Sequence, residues 1–540
     1  MGAPLPGPVA VRRRGTALAA QIRIGRGHVF ETASLSVQTC FLATDFATWD
    51  ESRRYNLVYW RFCNSLREGN LFESVAMQKA LDYLDQHEAR FVRELCEYLR
   101  YPSVSAQAAH GKDMLACAQW LARHCSSIGL RARVCPTAGH PVVLAQYRRS
   151  GGRRPHYLVY GHYDVQPPDP LELWHSPAFT PRIDGRRLFA RGSSDNKGQH
   201  FAHLKAVEAY LETGMELPCD LTFVIEGEEE VGSASLSEFL KKNRSELRCD
   251  GVVISDTGMP GLKYPALTYA LRGIAALEVT LRGPSRDLHS GIYGGSVENP
   301  AMALCQLLAK VRDGQGRIRI PGFYDEVVPL TAYERRQMKR LPHSDAAYRR
   351  FLGVPRLFGE RGYTSWERRS ARPTLEINGL TSGYQGEGSK TIVPAWASAK
   401  LTFRLVPDQD PARVTRAIVR QLKRLCPPTV RLEIKTLHGA EPYAVSPTGE
   451  LAQAGVKALR SAFKREPVLM REGGSIPIVT EFKRILGAES LLLGLALPDA
   501  NAHSPNESIN LDAFAGGMRM SALLWPELAG ISVGGSVRGR

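Results

Sequence analysis

Apolar positions in this chain follow two periods. From Met77, "MQKALDYLDQHEARFVRELCEYLR" puts Leu81, Leu84, Phe91, Leu95, Tyr98 and Leu99 near a helical repeat, which predicts an amphipathic helix. A second helix-like stretch from Leu115 leads through "GLRARVCP" to a strand-like "PVVLAQYR". Strands and helices then alternate, and that order predicts an α/β sheet. Between 272 and 438 the pattern changes. "IAALEVTLRG" alternates with period two and reads as a half-buried strand. "VENPAMALCQLLAKVRDG" reads as a helix with Asn299 as N-cap and Pro300 at its first position. Leu304, Leu307, Leu308 and Val311 share one face of it. "ASAKLTFRLVP" is another alternating strand, followed by a helix from Pro411. This block predicts an α+β domain inserted into the first.

The expected domains are therefore residues 77–271 and 439–540 together, with 272–438 inserted. Residues 1–76 show no sustained period. Their first thirty residues carry five arginines and no acid, a faint likeness to a transit peptide. The apolar part is too short and polar for a secretory signal. The expectation is a fold that begins near Met77, preceded by a disordered extension or a mis-assigned start.

Composition narrows the class. Hydrophobic content of 43% and charged content of 23% are ordinary for a globular protein. No apolar run reaches the roughly 18 residues of a membrane span, so no membrane is expected. The net charge of +16 is spread along the chain without a nucleic-acid-binding motif. It favours solubility or anionic substrates, and no nucleic acid is expected as a partner. Ten cysteines show no C-x-x-C pair. Cys96, Cys117 and Cys305 lie in apolar patterns, so reduced core thiols and a cytoplasmic setting are expected.

Four apolar strands end in a residue that can bind a metal. "HYLVYGHYD" delivers His162 and Asp164, and "LTFVIEGEEE" delivers a run of glutamates. "GVVISDTG" delivers Asp256, and "SLLLGLALPDANAHSPNE" reaches His503 after a short loop. A fifth segment, "ARGSSDNKGQHFAHL", presents Asp195 just before a helix. Taken singly, each has a structural reading: a core histidine, a helix cap, a turn aspartate, a loop histidine, a solvated acidic turn. Together they share one predicted edge of one sheet, where open α/β folds bind ligands. Asp195, Glu230 and Asp256 carry three negative charges, which two divalent cations and a hydroxide balance. Imidazole with carboxylate suits zinc, manganese or cobalt better than magnesium or calcium.

"GHYDVQPPDP", "ARGSSDNKG", "EGEEEVGS", "SDTG" and "HSPNE" resemble the co-catalytic metallopeptidases that include carnosinases, cytosolic non-specific dipeptidases, glutamate carboxypeptidases and aminoacylases. The resemblance runs from about residue 80 to 530. "RDLHSGIYGGSVENPA", "SKTIVPAWASAKLTFRLVP" and "REGGSIP" look most like the dipeptidase and carnosinase branch.

The resemblance implies a metallopeptidase catalytic domain with two divalent ions per subunit, Zn²⁺ or Mn²⁺, at the strand ends. Asp195 would bridge them, with His162 and Asp256 at one ion and Glu230 and His503 at the other. Glu229 would be the base for a metal-bridging water, and Asp164 the partner behind His162. His289, Thr391, Arg404 and Ser475 match substrate-contacting positions. A cis peptide at Asp195–Asn196 is implied, as is a homodimer through the inserted lid domain, with His289 serving the neighbouring subunit. The implied activity is hydrolysis of dipeptides or short peptides. The alternative is deacylation or desuccinylation of N-acyl amino acids at the same site.

Overall fold

The apolar runs form the centre of one mixed sheet. The computed structural model describes residues 11–14, 17–20, 70–151, 153–474 and 476–531. The strands His156–His162, Asp220–Glu226, Gly251–Ile254 and Ser490–Gly494 are mutually parallel. Val142–Tyr147 and Ala266–Leu271 flank them antiparallel. Arg131–Cys135 lies beyond on one side, and Tyr443–Ala444 and Val468–Glu472 on the other.

Alternate side chains of the central strands enter two different cores, as the pleat requires. Tyr157, Val159, Phe223 and Val253 pack with residues of the helices Asn70–Leu99, Gly111–Ser127, Lys197–Glu212 and Leu511–Ala529. Leu158, Tyr160, Val224 and Ile254 pack on the other face with Leu236, Phe239, Ile478 and Phe482. Burying one such side chain contributes about 1.5–3 kcal/mol. The helix Lys197–Glu212 is buried on nearly every side, so it lacks the polar stripe of a surface helix. It packs against the strand His156–His162 and against Leu511–Ala529, which fixes the segment that begins at Asp195.

Between residues 273 and 440, Thr374–Ser382, Trp396–Leu405, Gly273–Arg282 and Arg431–Ala440 form a separate antiparallel sheet in that order. The helices Pro300–Val311 and Pro411–Leu425 cover one face around a core of their own. Asn299 and Asp410 cap them by accepting from Ala301 N and Ala412 N. Leu304, Leu307, Leu308 and Val311 are buried, as their spacing predicts.

Three details depart from the sequence reading. The first long helix starts at Asn70, not Met77. Val11–Arg14 and Ala17–Ala20 pair antiparallel, although the residue pattern there shows no strand period. Cys305 is exposed, because it lies off the Leu304–Leu307–Leu308–Val311 stripe on its helix. Cys117 is buried and Cys96 partly so, and the eight cysteines among the described residues are free.

Candidate metal centre

Parallel strands carry their carboxyl ends to one edge, so residues far apart in sequence meet there. His162 ends its strand fully buried. Its Nε2 lies 3.2 Å from Asp195 Oδ1 and 3.7 Å from Asp256 Oδ1. His503 Nε2 lies 2.9 Å from Asp195 Oδ2 and 3.3 Å from Glu230 Oε2. Asp195 thus faces both histidines, with Asp256 on one side and Glu230 on the other. His162, Asp195 and Glu230 each offer a ligand atom within 4.8 Å of the others.

The donor set fits metal ions. Nε2 of His162 and Oε1 of Glu230 are buried and make no hydrogen bond. Buried polar atoms are normally satisfied, and two unsatisfied ligand-type atoms facing one crevice are what a cation would complete. Charges respond accordingly. Burial, then the other site carboxylates, push Asp256 up to about 6. Burial acts first on Asp195 too, but its bonds to His162 and His503 outweigh it and hold the carboxyl low. Asp195 and then Glu230 raise His503 to about 10.

The glutamate run divides into three roles. Glu228 is buried; its Oε1 accepts from His140 N at 3.0 Å and its Oε2 from Ser235 N at 2.9 Å. It ties loops together. Glu230 reaches the histidine–aspartate cluster and accepts from Gln166 at 2.7 Å. Glu229 stands at the start of a short 3₁₀ turn, Glu229–Val231. Burial raises its pKa well above the usual carboxylate range, and Asp256 and Glu230 add to the rise against the opposing influence of His162.

Asp164 positions this turn. Its carboxylate accepts from Ser105 Oγ at 2.7 Å, Glu229 N at 3.2 Å and Glu230 N at 3.1 Å. Its carbonyl lies 3.1 Å from His162 Nδ1, which orients the ring. The Asp195–Asn196 peptide is cis. The Asn196 amide donates to Asp256 Oδ1 at 2.9 Å, and its Oδ1 accepts from His162 N at 3.3 Å. Asn196, not Asp195, occupies the N-cap position of the following helix, so Asp195 is left for the cluster.

The chain matches the model of peptidase family M20/M25/M40 over residues 158–527. It belongs to that family. It is 30% identical to the Cys-Gly metallodipeptidase dug1 of Schizosaccharomyces pombe over 474 residues, 85% of this chain and 99% of that protein. It is 30% identical to the human Beta-Ala-His dipeptidase over 475 residues, 84% of this chain and 93% of that protein. The solved structure of the dipeptidase Dug1p from Saccharomyces cerevisiae aligns with a TM-score of 0.71 and 30% identity, covering 84% of this chain and 98% of its own.

The predicted substrate contacts His289, Thr391 and Arg404 all fall within residues 272–438. His289 is exposed and caps the short helix Ser290–Tyr293 by accepting from Gly291 N. Thr391 is exposed beside it, its carbonyl accepting from Ser290 N at 3.1 Å. Among the described residues no hydrogen bond or ion pair joins His289 to the ligand set. Arg404 is half-buried on Trp396–Leu405, paired across strands with Ile274 and Thr374. Arg272 stands nearby, and burial, then the Arg404 charge, bring it down to about 10. Ser475 lies outside the described residues.

Sequence reasoning missed Glu507. It is fully buried, accepts from Ser194 N and Asp195 N on Oε1, and from Gly192 N and Arg191 on Oε2. It holds the bend that presents Asp195. Its only sequence signal is its place in "HSPNE". Glu94, His124 and Glu208 also have metal-like spacing. Lys205 Nζ sits among them, 2.5 Å from Glu94, 2.7 Å from His124 and 2.7 Å from Glu208, so an ammonium supplies the cation there. Among the described residues no helix is long and apolar enough to cross a membrane.

Proposed function

We propose that this crevice hydrolyses the peptide bond of dipeptides, with Glu229 as general base. The observation that carries the reading is Glu229 itself: a carboxyl of raised pKa beside the ligand cluster, on a turn held by Asp164. His162, Asp195, Glu230, Asp256 and His503 would hold two divalent ions, with Asp195 between them. Bound there, zinc or manganese supplies a water of pKa lowered toward ~7 and polarises the scissile carbonyl. Glu229 takes the proton of the attacking water and passes it to the leaving amine. Arg404 grips the substrate carboxylate through its guanidinium fork, with Ser475 lining that end, and Thr391 acts beside His289. His289 stabilises the oxyanion.

His289 performs that task from a partner subunit in a homodimer built through the inserted domain. Its exposure supports this, as do exposed Ile292, Met302, Ile377 and Leu380 on the same domain. Thr374–Ser382 is an edge strand of that sheet and carries Ile377 and Leu380, which suits pairing with a second copy. The domains run as 77–271 with 439–540, and 272–438 as lid. Free cysteines accord with a cytoplasmic setting.

The test is a turnover profile. Metal-stripped protein is reloaded with Mn²⁺ or Zn²⁺ and offered a dipeptide panel beside N-acyl amino acids. Faster cleavage of dipeptides supports the reading. Faster cleavage of N-acyl amino acids makes the protein a deacylase of the same mechanism.

A further inference from the structure

A dipeptide is a zwitterion. The reading above assigns its carboxylate to Arg404 but leaves its α-ammonium without a partner. Asp195, Glu230 and Asp256 belong to the ligand set, and Glu229 is the base. Both oxygens of Asp164, of Glu228 and of Glu507 accept hydrogen bonds from the protein. Glu226 has an unpartnered Oε2, but it is 1% exposed and enclosed by Tyr160 and Ser233, which both donate to its Oε1.

Glu472 remains. It ends the strand Val468–Glu472 and opens the "EGGSIP" loop that carries Ser475. Its carboxylate lies against Gly258, two residues beyond Asp256, whose backbone acts on it as a hydrogen-bond donor. Oε2 is buried and has no hydrogen-bond partner among the described residues. Arg369 is close enough to act on its charge, but that guanidinium stacks on Trp366 at 3.9 Å. An acceptor of this kind is costly to leave unpaired.

We infer that Glu472 binds the α-ammonium of the substrate and makes the site selective for peptides with a free amino terminus. The inference rests on the dipeptidase reading. The ammonium enters past Gly474, which is exposed and has open space around it. Arg404 and Glu472 then hold the two charged ends of the zwitterion. An N-acyl amino acid has no ammonium and leaves Glu472 unpaired. Sites built around a polar group of the substrate reject analogues that lack it by large factors.

The test compares two substrates on the metal-loaded, full-length protein. One is the dipeptide that the wild type cleaves fastest. The other is the same compound with its α-amino group replaced by hydrogen. The wild type should favour the dipeptide in kcat/KM by roughly 10²-fold or more. Glu472→Gln should collapse that ratio at least tenfold, mostly by slowing the dipeptide, while melting temperature and metal content stay at wild-type values. Glu472→Asp should recover part of it. If the wild type favours the dipeptide and Glu472→Gln slows both substrates equally, or neither, the assignment of Glu472 is wrong and the dipeptidase reading stands. An equal loss accompanied by lost metal or a lower melting temperature assigns Glu472 a structural role and also overturns the inference. If the wild type favours the compound without the amine, both fall together.

Discussion

Replacing Glu507 with glutamine tests how the ligand cluster is held. Gln has the same shape but one acceptor oxygen. In the wild type, Oε1 accepts from Ser194 N at 2.8 Å and Asp195 N at 2.9 Å, while Oε2 accepts from Gly192 N at 2.8 Å and Arg191 at 2.9 Å. However the new amide turns, its NH₂ group faces two donors and two hydrogen bonds are lost. Arg191, only 1% exposed in its side chain, also loses its counter-charge. Breaking a buried ion pair from one side costs about 3–5 kcal/mol. Unfolding entropy of ~2.1 cal/mol/K per residue amounts to about 1.1 kcal/mol/K for this chain, so the melting temperature should fall by roughly 3–4 °C. All four donors lie in the bend Arg191–Asp195 that presents Asp195, so losing either pair loosens it and metal content should fall as well. Thermal denaturation and elemental analysis of purified protein measure both. Adding Arg191→Met should restore part of the stability, since no charge is then left buried alone. A melting temperature within about 1 °C of wild type, with full metal content, would refute the role given to Glu507.

Glu229→Gln should lower turnover by ~10²–10⁴-fold with metals retained, because it removes a base and no ligand; loss of metal would make Glu229 a ligand instead. His289→Ala and Glu229→Gln chains should each be inactive alone. After confirmed subunit exchange, each heterodimer should regain up to half of wild-type activity, and activity that stays at the parental background rules out His289 acting across subunits. Burial holds His203 down to about 3, and burial with the Lys205 charge does the same for His124. Both stay neutral in the folded protein while the unfolded chain takes up protons below its ordinary value of ~6.5, so stability should fall with pH from there toward 3, by about 1.4 kcal/mol per unit for each group. His203→Gln should remove one group's share of that slope, and an unchanged slope by denaturant titration at several pH values would contradict it.

Local pattern was enough to read much of this protein. A strand buried on both faces must be an apolar run, and a catalytic group at its end must break that run with a charge. His162, Asp256 and the glutamates after Ile225 are therefore visible one by one, and their common edge follows from α/β topology. The helix over Pro300–Val311 was equally plain, because its cap and apolar stripe are both local. What tertiary structure alone decided is which polar residues answer to which. Glu507 holds Asp195 from more than three hundred positions away, Asn196 donates to Asp256 across sixty positions, and Glu228 ties loops while its neighbours face the crevice. The buried, unpartnered oxygen of Glu472 is of the same kind. Hydrogen-bond partners depend on which atoms the fold brings within 3 Å or so, and a linear pattern carries no information on that distance. Hydrophobic periodicity is written along the chain because burial acts on each side chain singly, whereas satisfaction of a polar group is a property of pairs.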